Sequence, residues 1–108
     1  MAHLKPTLKE RKRYILFKIN SEREVEKEDV SKLVTKAGLQ FLGEFGMARA
    51  CIQFLAETWN GKTGIISVNH DYVDETKAAL ALVKEHEGKK IAIETLKTSG
   101  SISKLKGE

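Results

Sequence analysis

A few residues in this chain have side chains suited to acid–base, nucleophilic or metal chemistry: His3, His70, His86, Cys51, and the acids Glu22, Glu24, Glu26, Glu28 and Asp29. His70 beside Asp71 could orient an imidazole for proton transfer. The same pair also fits a loop histidine next to a helix-capping acid, and that is the expectation here. Cys51 falls in a stretch that alternates like a strand, which suits a small packing residue. A single cysteine forms no internal disulfide, so the chain fits a reducing, cytoplasmic setting. The acids of 22–29 suit the solvated start of a helix, where negative charge is favourable. No HExxH, GxxxxGK[ST] or paired-cysteine spacing occurs, and the glycine pairs Gly43/Gly46 and Gly61/Gly64 are accounted for by a helix stop and a turn. A stand-alone nuclease would need clustered acids or paired histidines around a metal. The expectation is a chain with no catalytic residue and no metal or cofactor of its own.

The basic residues carry a different chemistry, the capture of phosphate. The stretch PTLKERKRYILFKI, residues 6–19, sets Lys9, Arg11, Lys12 and Arg13 directly before the apolar Tyr14, Ile15, Leu16 and Phe17. Residues 1–13 hold five basic side chains, Lys5 included, and one acid, a net +4. Residues 97–108 hold Lys97, Lys104 and Lys106 against Glu108, a net +2, while 14–96 is net −2. Basic ends on a slightly acidic body suit a polyanion such as nucleic acid. Nothing approaches the ~20 apolar residues of a membrane span, and the start lacks the apolar core of a secretory signal, so no membrane partner is expected.

These side chains must be positioned by a small fold. Ile15, Phe17 and Ile19 alternate with Leu16 and Lys18, which predicts a strand over 13–20. Val30, Leu33, Val34, Ala37, Phe41 and Leu42 follow helical spacing after a weak cap at Glu26, with Val25 and Val30 spaced as a hydrophobic staple. Gly43 and Gly46 bracket the expected helix end. The alternation from Met47 to Glu57 predicts a second strand. Asn60-Gly61 predicts a tight hairpin, and GIISVN at 64–69 is the return strand. A helix over 71–87 follows, capped by Asn69 or Asp71, with Val73, Thr76, Leu80 and Val83 buried and Gly88 as its stop. KKIAIETLK, at 89–97, is the last strand, with Ile91 and Ile93 inward. The order β-α-β-β-α-β, with an antiparallel four-stranded sheet and both helices on one face, is the ferredoxin-like or RNA-recognition-like sandwich. One α+β domain spans 1–108: a basic arm at 1–12, the sandwich at 13–97 and a basic tail at 98–108.

In the RNA-recognition fold, aromatics of the central strands stack on bases. GIISVN has none, and Tyr14 is the one aromatic expected on the open face, so RNA contact is expected at phosphates. Tyr14, Leu16, Cys51 and Leu55 would share that open face. They are apolar enough to need a cover, either the tail folding back or, as expected here, a protein partner.

Three stretches carry a family resemblance: LKPTLKERKRYILFKI, GKTGIISVNHDYVDETKAALALV and LKTSGSISKLK. In order and spacing they resemble the archaeal ribonuclease P protein component 2 family. Pro6, Thr7, Leu8, Arg11, Arg13 and Tyr14 fall on that family's opening motif, and Ser99, Gly100, Ile102 and Leu105 on its closing one. The resemblance implies a subunit of the ribonucleoprotein that removes 5′ leaders from precursor tRNA. RNA would do the chemistry with Mg²⁺, and the chain would bind the catalytic RNA and precursor tRNA with a barrel-shaped protein subunit, with self-association possible. It would place Lys5, Lys9, Arg11, Lys12, Arg13, Lys97, Ser99, Lys104 and Lys106 at the RNA. Two features depart from the family pattern: Glu10 interrupts the basic run, and some members extend further at the C-terminus. A ferredoxin-like ligand-binding or regulatory module without RNA is the alternative.

Overall fold

The computed structural model describes residues 11–106. The chain runs through β1 (Lys12–Ser21), α1 (Lys27–Ala50), β2 (Gln53–Leu55), β3 (Thr63–Asn69), α2 (Val73–Ala81), β4 (Glu85–His86), β5 (Lys89–Ser99) and α3 (Ile102–Lys106). The sheet order is β2-β3-β1-β5-β4, and its pairings are antiparallel. The expected β-α-β-β-α-β order therefore holds, with β4 and α3 as additions.

Strand alternation sorts the two faces of the sheet. Ile15, Phe17 and Ile19 join Ile66, Val68, Ile91 and Ile93 against Val30, Leu33, Val34, Ala37 and Leu80 of the two main helices. Val25 packs on this core, and the Val30 N–H donates to Glu26 O at 3.0 Å, so the staple starts α1 even though Glu26 makes no side-chain cap. Phe17, Phe54 and Trp59 form an aromatic cluster with ring centroids 6.0–6.3 Å apart. Trp59 Nε1 donates to Val25 O at 2.9 Å, tying the 56–62 loop to the entry of α1. Gly64 makes room for these rings, because a Cβ there would lie 3.0 Å from Trp59 Cε3 and 3.1 Å from Phe54 Cε1.

Several expected boundaries move. The helix does not end at Gly43. That residue breaks it with φ 76°, ψ 177°, and the helix resumes to Ala50, leaving β2 only three residues. The break lets Met47 pack where a Cβ on Gly38 would collide with its Sδ. The alternation of 47–50 thus belongs to a short helix, and Phe41, expected inside, is exposed. Asn60-Gly61 is not a two-residue hairpin: Asn60 Oδ1 accepts the N–H groups of Lys62 and Thr63 at 2.9 and 2.8 Å within a longer loop. The tight turn lies instead at Glu87-Gly88, both at positive φ (52° and 81°), joining β4 to β5. Helix α2 consequently stops at Ala81, and Gly88 is a hairpin residue. Neither Asn69 nor Asp71 caps α2: Asn69 Nδ2 donates to Arg49 O, and Asp71 lies in a 3₁₀ turn, His70–Tyr72.

The register of β5 against β1 shifts between Leu16 and Phe17. Phe17 faces Thr95 and Leu16 faces Lys97, leaving Leu96 as the extra residue of a bulge.

The outer face is not open. Helix α3 folds across it, so that Leu105 packs with Leu16 and Ile65, flanked by Tyr14, Leu55 and Ile102. Leu16 is 8% exposed and Leu105 1%. The tail, then, covers this face. Cys51 is elsewhere: it caps the end of α1 in a left-handed conformation (φ 52°, ψ 47°) and is exposed, with Sγ 3.3 Å from Ala48 O. Of the four residues expected to share a partner-binding face, Tyr14, Leu16 and Leu55 do, under α3, and Cys51 does not, because the helix runs four residues past the expected start of β2.

Candidate nucleic-acid interface

Antiparallel pairing of β1 with β5 brings the two basic ends of the chain together. Tyr14 faces Ser99 and Leu16 faces Lys97. Arg13 Nη1 lies 3.7 Å from where a Gly100 Cβ would stand, so the guanidinium rests against the turn that leaves β5. It also donates to Lys12 O at 3.0 Å. On the other flank, the His70 N–H donates to Arg11 O at 2.8 Å and Lys12 pairs with Asn69, so the entry to β1 is fixed from both sides.

The turn itself is ordered by a short network. The Ser101 N–H donates to Ser99 Oγ at 3.1 Å, and the Ser101 and Ser103 hydroxyls lie 2.8 Å apart. The packing of Leu105 then holds α3, and with it the exposed Lys104, over β1 and β5. Arg11, Lys12, Lys97 and Lys104 are exposed and Arg13 half-buried. Among the described residues, Arg11, Lys12, Arg13 and Lys104 form no ion pair with a carboxylate. A cationic surface of this kind, on backbone held by a sheet, can take phosphates at low ordering cost.

Lys5 and Lys9 lie outside the described residues, as does the side chain of Lys106, whose backbone ends α3. The sequence reading missed Lys18. It is on the same face as Leu16, between Thr63 and Glu94, and simple alternation would have placed it there.

Other candidates do less. His70 Nδ1 is 3.2 Å from Asp71 Oδ1, on an exposed turn. Exposed large apolar side chains lie mostly on or next to the helices, at Leu39, Phe41, Phe45 and Leu82, with Leu96 of the β5 bulge as the sheet's example; Phe45 is 86% exposed. Phe41 and Leu82 line one small groove between α1 and α2.

A family model described as the Rpp14/Pop5 family matches residues 13–108, nearly the whole fold just described. The chain belongs to the Rpp14/Pop5 family. Within it, the chain is similar to the ribonuclease P protein component 2 of Pyrococcus abyssi, at 41% identity over 95% of this chain and 87% of that protein. It is 38% identical to the protein of the same name from Methanocaldococcus jannaschii, over 95% of this chain and 75% of the relative. A chain in the cryo-EM structure of yeast ribonuclease MRP shares the fold, with a TM-score of 0.71 at 20% identity, covering 91% of this chain and 79% of that one. Membership in this family bears out the resemblance seen in the opening, hairpin and closing motifs. It does not favour the RNA-free ligand-binding or regulatory module. Among the described residues, no helix is long and apolar enough to cross a membrane.

Proposed function

We propose that this chain serves ribonuclease P as a noncatalytic protein subunit, gripping the catalytic RNA through its phosphates while the RNA removes the 5′ leader of precursor tRNA. The observation that carries this reading is the junction of β1 and β5, where Tyr14 faces Ser99, Leu16 faces Lys97 and the Arg13 guanidinium rests against Gly100, with Arg11 and Lys12 at the entry to β1. Phe17, Phe54 and Trp59 are used in the core, and α3 covers the outer face of the sheet, so base stacking on the sheet has no platform. Recognition rests on backbone geometry and charge. The Mg²⁺ of cleavage belongs to the RNA in this reading, and no reacting atom is assigned to this chain. Lys5, Lys9 and Lys106 extend the same cationic set in sequence. Cytoplasmic residence is part of the proposal and accords with an unpaired Cys51.

A protein partner, the barrel-shaped ribonuclease P subunit, is also proposed. Its docking surface moves from the outer sheet face to the exposed side chains of α1, with Phe45 foremost. Phe45→Asp should weaken binding of that subunit in a titration and leave the fold intact. Unchanged binding would remove this surface from the contact, and a change in self-association instead would assign it to a second copy.

The test of the RNA grip is salt dependence. With 4–6 phosphate contacts, log K against log[salt] should fall with a slope of about −3 to −5. Alanine at Arg11, Lys12 and Arg13 together should flatten it by roughly two to three units; an unchanged slope would exclude this surface. Reconstitution with the RNA and the barrel subunit at low Mg²⁺ should stimulate precursor cleavage. Cleavage by the protein alone would overturn the noncatalytic reading.

A further inference from the structure

At the other end of β5 from the cationic junction, the fold assembles three residues that spacing alone does not connect. Asp29 lies in the first turn of α1, His86 closes β4, and Glu87 follows in the β4–β5 turn. His86 Nε2 stands 3.9 Å from Asp29 Oδ1 and 3.8 Å from Glu87 Oε2, and the three donor atoms all lie within 4.8 Å of one another. The imidazole is largely buried, at 17% exposure, and Nε2 is fully buried with no hydrogen-bond partner. A buried ring nitrogen in that state is costly unless something fills the position. A point equidistant from three atoms spaced like these is roughly 2.2–2.5 Å from each, close to the ~2.0–2.2 Å of Zn²⁺ bonds to imidazole nitrogen and carboxylate oxygen.

We infer that Asp29, His86 and Glu87 form a site for a divalent transition-metal ion, Zn²⁺ foremost, that pins the β4–β5 hairpin to the start of α1. One nitrogen and two carboxylate oxygens favour Zn²⁺ and its neighbours over Mg²⁺, which takes all-oxygen octahedral shells. Glu87 is half of the tight turn, and its left-handed backbone (φ 52°) presents the carboxylate next to the ring of the preceding residue. With three protein donors, the remaining position is left to water. The site is separate from the proposed RNA grip: the eleven residues of β5 place it roughly 30 Å from Ser99.

The test uses the full chain, stripped with chelator and titrated with ZnCl₂ by calorimetry, with thermal unfolding in parallel. The expected result is one equivalent bound and a rise in melting temperature. His86→Ala should weaken binding by about 100-fold, and Asp29→Asn by about 10-fold or more. A variant lacking two other potential donors, Cys51→Ser with His70→Ala, should bind as the unaltered chain does. If His86→Ala fails to fold, Asp29→Asn and the visible spectrum of the CoCl₂-loaded chain decide. No binding by the unaltered chain overturns the inference, as does equal binding by the Asp29 and His86 variants. Stability that depends on His86 but not on Zn²⁺ would also overturn it.

Discussion

Replacing Leu105 with alanine tests how the C-terminal helix is held. Leu105 is 1% exposed and lies against Leu16 and Ile65, which together make up the buried part of the outer cluster. Truncation removes three carbons, about 2.4 kcal/mol at ~0.8 kcal/mol per buried methylene. Incomplete relaxation raises such costs to about 2–5 kcal/mol in well-packed cores. The upper end does not apply here. Helix α3 has five residues, too few to persist alone, so it would release from the sheet before holding a large cavity. Release caps the loss at the docking free energy, and we expect about 2–3 kcal/mol, or a fall in melting temperature of roughly 10 °C. Thermal unfolding gives the total, and amide exchange gives the place: protection should fall in α3 first, then around Leu16 and Lys97. RNA binding adds an independent readout, since freeing Lys104 should flatten the salt slope by about one unit or less. A melting temperature within ~1 °C of the unaltered chain, with α3 exchange unchanged, would refute the reasoning. The outer face would then be stable without its cover.

Three further outcomes follow from the packing. Gly64→Ala should destabilise by about 1–3 kcal/mol in denaturant melts, because its Cβ would press on Trp59 and Phe54 in a filled cluster. Thr76→Val should stabilise by about 1 kcal/mol, because Thr76 Oγ1 is buried without a hydrogen-bond partner and valine keeps the shape. His70→Ala should leave precursor-tRNA cleavage by the reconstituted particle nearly unchanged; a loss beyond ~10²-fold with the fold intact would give the His70–Asp71 pair a proton-transfer role.

The sequence was most legible where one periodicity ran uninterrupted. Ile15, Phe17 and Ile19, then Val30, Leu33, Val34 and Ala37, announced β1 and α1, and both lie in the core. It was least legible where two structures fit one pattern. Met47–Ala50 alternates like a strand, yet helix resumes after the break at Gly43 and is held by contact with Gly38, which no local rule reports. Gly88 fits a helix stop as well as a hairpin; the pairing of Glu85 with Lys90, a tertiary fact, decides. The cationic ends could be counted in the sequence, and their meeting needed only the antiparallel pairing of the first and last long strands. The sequence allows the tail to fold back over the outer face, but not the docking of Leu105 on Leu16, because a short terminal helix carries too few apolar residues to reveal where it docks. The cluster at His86 joins residues far apart in the chain, and only the folded hairpin brings them together.

The bulge at Leu96 makes β5 a strand with two parities. Before it, odd-numbered residues point toward the helices, as Ile91 and Ile93 do; after it, odd-numbered residues point away, as Lys97 and Ser99 do. Had the ribbon kept strict two-residue alternation, Lys97 would lie opposite Ile15 and drive an ammonium group into the hydrocarbon interior. The extra residue is what allows a single strand to turn Ile91 and Ile93 toward the helices and Lys97 away from them. Its length is thereby fixed, for deleting Leu96 would exchange the roles of every side chain beyond it.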